Sequence, residues 1–234
     1  PRGSVAGYAS PAGLKCLSDA SNQAEREAIA AEARALLAAA GYPDPAQFMT
    51  VELLFNKDSG HDLIAQAVAK NWQRYLGVPT RLVQKEVKVF RDDLKNTNFT
   101  TSRAGWYGDY GDPTTFLDLS RRDDGNNDRK YANDEFEALL DEANVETDAA
   151  RRMELLTRAE TILMERDLPK VPIFHYAHTY MFDASVLGGP NAHPRTKQYM
   201  GFFDILGDGK GPDVPPTMPL RPIVQELSAA GGAR

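Results

Sequence analysis

Apolar side chains recur every three to four positions through "AEREAIAAEARALLAAAG" (24–41), which puts Ile29, Ala33, Leu36, Leu37 and Ala40 on one face. The pattern predicts a helix, favoured by its alanine content and closed by Gly41. Pro43 and Pro45 break the chain, and "FMTVELLF" (48–55) has the β-branched and aromatic content of a strand. "DSGHDLIAQAVAKNWQRYLG" then returns to helical spacing, with Asp58 or Ser59 as N-cap and Gly77 just past its end. Its inward face is expected to carry Ile64, Val68, Trp72, Tyr75 and Leu76.

A second strand is expected over 80–86, and a short helix over 89–96 with Phe90 and Leu94 inward. A third strand runs through "FTTSRAGW", and Pro113 opens a helical turn at "TTFLDLS". Two amphipathic helices follow, over 133–146 and 148–167, and "KVPIFHYAHTYMFD" (170–183) reads as one or two strands. Strands alternating with helices predict an α/β domain whose sheet is at least partly parallel.

Composition narrows the partners. The chain has 234 residues, 42% of them apolar, and no apolar run near the length of a membrane span. Its 27 basic against 33 acidic side chains leave a net charge of −6, with no basic stripe, so nucleic acid is not expected as a partner. Cys16 is the single cysteine, which excludes an internal disulfide and a cysteine-based zinc site. His175 and His178, three apart in an expected strand, would point to opposite faces. No metal site or cofactor is therefore expected.

The densest chemistry lies in "RAGWYGDYGD" (103–112), where charges of both signs, large rings and three glycines crowd together. Asp109, Asp112 and Asp118 could form an acid/base pair of the glycosidase kind. Against that, Asp112-Pro113 reads as a turn and helix start, and the chain has no GxSxG, no CxxC and no phosphate-cradling glycine loop. His61, in the first turn of its expected helix, is placed to donate to an anion with the help of the helix dipole.

"RAGWYGDYGDPTTFLD" resembles the signature of the C-terminal lobe of family 5 extracellular solute-binding proteins, through Gly105, Trp106, Asp109, Asp112 and Pro113. "AEARALLAAAGYP", "NWQRYLGVPTRLVQKE" and "VPIFHYAHTYMF" are similar to further segments of that family, in the same order, over roughly residues 28 to 205. The resemblance implies a type II periplasmic-binding-protein-like lobe, with a mixed sheet flanked by helices over residues 1–205 and a Gly/Pro-rich tail over 206–234. It implies a non-enzymatic, monomeric receptor that takes short peptides to the transmembrane subunits of an ABC importer. Such a receptor works in the periplasm, or tethered to the envelope as a lipoprotein.

By the same resemblance, Asp109 holds the peptide's α-ammonium group, while Arg103 and His61 meet its carboxylate. Trp106, Tyr107 and Gly108 belong to the cleft wall, Gly105, Gly108 and Gly111 letting backbone approach an extended ligand. Family members run to about twice this length and close two lobes around the ligand, so an N-terminal lobe is expected to be missing here. Tyr107 and the pocket walls vary across the family, leaving a nickel chelate, an oligosaccharide or an opine as alternative ligands. A hydrolase using Asp109 and Asp112 is the remaining alternative.

Overall fold

Val51–Asn56 forms the middle strand, β1, because four of its six side chains are apolar and can be covered on both faces. The computed structural model describes residues 5–58, 60–177, 181–189, 201 and 203–207. It divides into two compact units, Pro1–His175 and Tyr176–Arg234.

In the first unit β1 pairs in parallel with β2 (Thr80–Lys85) on one side and with β3 (Thr101–Ser102) on the other, in the order β2-β1-β3. Parallel neighbours need crossovers. Helix α2 (His61–Asn71) links β1 to β2, and α3 (Val87–Lys95) links β2 to β3. Leu53 and Phe55, two apart and hence on one face of β1, pack with Ala65 and Val68 of α2. Helix α3 also lies against β1, and Phe90 is its buried residue. The fold is thus α/β, as expected.

Helix α1 (Gln23–Ala39) is capped by Asn22, whose side chain accepts the Glu25 N–H at 2.9 Å. At its end Gly41 takes φ +97° while the Tyr42 N–H reaches back to the Leu37 carbonyl. Its inward stripe runs through Ile29, Ala30, Ala33, Arg34 and Leu37. Leu36 and Ala40, expected inward, are exposed, whereas Arg34 is half-buried and donates to the Tyr75 carbonyl at 2.7 Å.

The helix expected over 58–77 has two parts, α2 and a π-helical turn, Trp72–Leu76, ended by Gly77 at φ +73°. Neither Asp58 nor Ser59 fills the N-cap position. Gly60 does, with φ +83° and no side-chain cap bond, and Ser59 lies outside the described residues. Helix α3 begins earlier than expected, since the Glu86 side chain caps it by accepting the Lys88 N–H at 2.8 Å.

A second core sits beside the sheet. Helices α4 (Thr114–Leu117), α5 (Asp134–Val145) and α6 (Ala149–Thr161) bury Leu117, Phe136, Leu140, Leu155, Leu156 and Ala159 together, and a π-helical turn, Ile162–Arg166, adds Leu163. The α5–α6 pair is a helical hairpin whose N-caps are Asn133 and Asp148. Truncating a fully buried side chain such as Leu140 to alanine costs about 2–5 kcal/mol. The N-terminal stretch runs along α6: Tyr8 donates to Glu160, the Thr157 hydroxyl donates to the Ala9 carbonyl at 2.9 Å, and the Gly13 N–H donates to Glu165 at 2.7 Å.

The strand expected within 170–183 is not formed among the described residues. Residues 171–177 carry no strand, and Val171, Ile173 and Phe174 stay exposed. His178 lies outside the described residues.

In the second unit β4 (Leu187–Gly188) and β5 (Asp204–Ile205) form an antiparallel pair, so both senses of pairing occur, in separate sheets. Residues 208–234, most of the expected tail, lie outside the described residues. No described helix is long and apolar enough to cross a membrane.

Candidate ligand-binding site

Because the three strands are parallel, their carboxyl ends share one edge, where open α/β sheets place ligands. β1 ends there in Asn56, and the ladder continues one step as the Lys57 N–H donates to the Lys85 carbonyl at 2.8 Å. The chain then turns through Gly60, whose left-handed φ of +83° starts α2 directly at His61. Asn56 and His61 are both buried. Among the described residues Asn56 Oδ1 and His61 Nδ1 have no hydrogen-bond partner, a costly condition for buried polar atoms.

β3 delivers the loop 103–113 to the same edge. Thr101 Oγ1 donates to the Glu52 carbonyl at 2.7 Å and the Arg103 N–H donates to the Leu54 carbonyl at 2.8 Å, fixing the point of departure. Arg103 is half-buried there, whereas Trp106, Tyr107, Asp109 and Tyr110 are exposed beyond it. Adjacent strands therefore bring His61 and Arg103 to one edge, and the loop that follows Arg103 carries Trp106, Tyr107, Gly108 and Asp109.

The far end of the loop is bonded closely. The Asp109 N–H donates to Thr115 Oγ1 at 2.9 Å. Asp112 accepts the Thr114 N–H at 3.1 Å and its hydroxyl at 2.8 Å, closing the first turn of α4. Arg152 grips the same carboxylate with both guanidinium arms, at 2.6 and 3.1 Å. Partial burial opposes ionisation of Asp112, but the bonds from Arg152 and Thr114 outweigh it and hold its pKa below the usual carboxylate value.

At Gly108 an added Cβ would come 3.1 Å from Phe116 Cζ and 3.3 Å from Thr115 Cγ2. Its small size lets α4 pack under the loop. Asp118, the third carboxylate of the group, accepts Arg121 Nε at 3.0 Å. Among the described residues no three His, Cys, Asp or Glu side chains gather in a way that could hold a metal ion.

Three residues of this region escape a reading of the sequence. Asn56 is signalled only as the polar end of a buried apolar run. Thr115 reads as an ordinary helix-start residue. Arg152 carries the clearest signal, since it shares the 152-155-156-159 stripe with three buried apolar residues.

Comparison with known proteins follows the same lines. Residues 2–128 match the model of the bacterial extracellular solute-binding proteins, family 5, middle region. The oligopeptide-binding protein OppA of Bacillus subtilis is 40% identical over 139 residues, 59% of this chain and 25% of that protein. The periplasmic murein peptide-binding protein MppA of Escherichia coli is 34% identical over 177 residues, 76% of this chain and 33% of that protein. The solved structure of the Escherichia coli murein tripeptide binding protein MppA superposes with a TM-score of 0.73 at 32% identity, covering 88% of this chain and 39% of that one. The chain thus spans about a quarter to a third of the length of these curated relatives.

Proposed function

The chain belongs to the bacterial extracellular solute-binding proteins of family 5, and from that membership we propose that it forms one wall of the cleft of a non-enzymatic peptide receptor serving an ABC importer. The observation that carries the proposal is the convergence at the carboxyl edge of the sheet. His61 and Arg103 leave adjacent strands there, and the loop bearing Asp109 follows.

A carboxylate at one point and two nitrogen donors at another suit a zwitterionic, extended ligand. Asp109 would meet the α-ammonium group, and Arg103 and His61 the carboxylate, with Trp106 and Tyr107 lending exposed rings as walls. The relatives are named for oligopeptides and murein peptides, which favours a short peptide over a nickel chelate, an oligosaccharide or an opine. The engagement of Asp112 by Arg152 and Thr114 favours a structural carboxylate over half of a hydrolytic pair.

The rest of a receptor's length would supply the opposing lobe. The partners would be the importer's transmembrane subunits, met by a monomeric receptor. The workplace would be the periplasm, in keeping with the name of the MppA relative, or the envelope if the full protein is a lipoprotein.

The test is Asp109→Asn in the full-length receptor, with calorimetry against free and N-acetylated peptides. Removing one partner of a buried charge pair costs roughly 2–5 kcal/mol, so free peptide should weaken about thirtyfold or more. Acetylation should weaken binding to the native protein strongly and to the variant much less. Equal binding of free and acetylated peptides by the native protein would overturn the reading.

A further inference from the structure

Arg152 sits on α6, forty positions from Asp112 in the chain, yet its planar fork closes on both oxygens of that carboxylate. We infer that Arg152 is the positioning residue of the binding site: it fixes the loop 103–113, and through it Asp109, against the helical hairpin. The inference rests on the proposed role of that loop in holding a ligand.

The chain of contacts is continuous. Arg152 is itself held, since its Nε donates to the Ala143 carbonyl of α5 at 3.2 Å, so the guanidinium is seated on both helices of the hairpin. It shares a stripe with Leu155, Leu156 and Ala159, all fully buried, which gives it a rigid base. From that base it grips Asp112. Asp112 in turn binds the N–H and hydroxyl of Thr114, whose hydroxyl also lies 3.2 Å from the Tyr110 hydroxyl. The next residue, Thr115, receives the Asp109 N–H. Helix α4 itself packs against α6, with Leu117 in the shared core.

The geometry explains the residue types. A guanidinium presents parallel donors that match a carboxylate, while Nε remains for a third bond; a lysine ammonium has no such fork. The fork and the carboxylate are each about a quarter exposed, sheltered enough for the pair to hold its orientation. A binding group whose support is loose is present but misplaced, and loses affinity through disorder rather than through lost contact.

The test compares Arg152→Met, Arg152→Lys and the core control Leu163→Ala. Amide exchange is measured on this chain, and peptide affinity on the full-length receptor, corrected for folded fraction. Arg152→Met should speed exchange of the Asp109 amide about tenfold or more, leave the middle of α5 protected, and weaken free peptide by about tenfold. Arg152→Lys should recover part of both effects. Leu163→Ala should lower stability while leaving affinity within about twofold.

Unchanged exchange at Asp109 in Arg152→Met would overturn the inference. So would faster exchange with unchanged peptide affinity, or an equal affinity loss in Leu163→Ala. If the native receptor binds no peptide, the proposed function falls by itself. The exchange result then still decides whether Arg152 fixes the loop.

Discussion

The side chain of Asn127 forms a ring with the backbone of Tyr131, accepting its N–H at 3.1 Å and donating Nδ2 to its carbonyl at 2.7 Å. The same Nδ2 reaches the Arg121 carbonyl at 3.0 Å, and the residue is 2% exposed. One amide thereby ties together a polar loop, 121–131, that leads from α4 toward α5.

Asn127→Ala should therefore cost about 2–4 kcal/mol, since it leaves buried backbone groups of the loop unpaired. Asn127→Asp should be worse near neutral pH than in mild acid. Its carboxylate keeps the bond from the Tyr131 N–H but faces two carbonyls it cannot donate to until protonated. Denaturant unfolding at about pH 5 and pH 7 measures both. An Asp variant insensitive to pH would show that the loop has rearranged around it.

Gly60 supplies the second expectation. Its φ of +83° lies where a Cβ is strained, while nothing approaches within 4 Å of the added carbon. The cost of Gly60→Ala is thus one of backbone conformation, about 1–2 kcal/mol, without a packing clash. Gly60→Asn should recover part of it, because asparagine tolerates this region best among residues with a side chain. Thermal melts of the two variants decide the matter, and equal losses would point to packing instead.

These positions mark the limits of what the sequence reveals. The helices were legible because their apolar stripes repeat regularly, and β1 because Val51 to Phe55 combine burial with strand-forming residues. Gly60 as an N-cap was not legible, since Asp58 and Ser59 are better capping types and only the three-dimensional turn selects the glycine. The strand expected within 170–183 is missing among the described residues for another reason. Its residues are suited to a strand by type, but strand formation depends on tertiary context that composition does not carry. The places of His61 after β1 and of Arg103 after β3 were legible in the pattern of strands and helices. The anchoring of the loop 103–113 was not, because the Asp112–Arg152 bond joins positions forty apart whose individual roles look ordinary.

Lys170 yields a pH-dependent expectation. Burial, and the nearby charge of Arg129, push its pKa down to about 8, and its Nζ donates to the Phe116 carbonyl at 3.3 Å. An unfolded lysine titrates near 10.4, so between about pH 8 and pH 10.4 the folded chain binds fewer protons than the unfolded one. Stability contributed by this group rises with pH across that window, and the charged form is a burden below it. Lys170→Met should raise Tm at about pH 7. The gain, on the order of 1 kcal/mol or 2–4 °C for a chain of this size, should shrink as pH climbs toward 10. A difference between variant and native that stays constant from pH 7 to 10 would sink the idea.

The docking of the N-terminal stretch on α6 bears on the order in which the molecule assembles. Tyr8 and Glu160 are separated by 152 positions, as are Gly13 and Glu165, and Ala9 and Thr157 by 148. The sheet, by contrast, is complete by Ser102, and the α5–α6 hairpin forms from neighbours in sequence. Contacts of such high order close the largest loop in the unit and gain nothing until the hairpin exists to receive them. Residues 8–13 are thus expected to dock late, as a clasp on the finished hairpin. Interactions formed after the folding barrier leave the folding rate almost untouched and slow the reverse step. A clasp closed in that order would set how long the folded unit survives more than how quickly it forms.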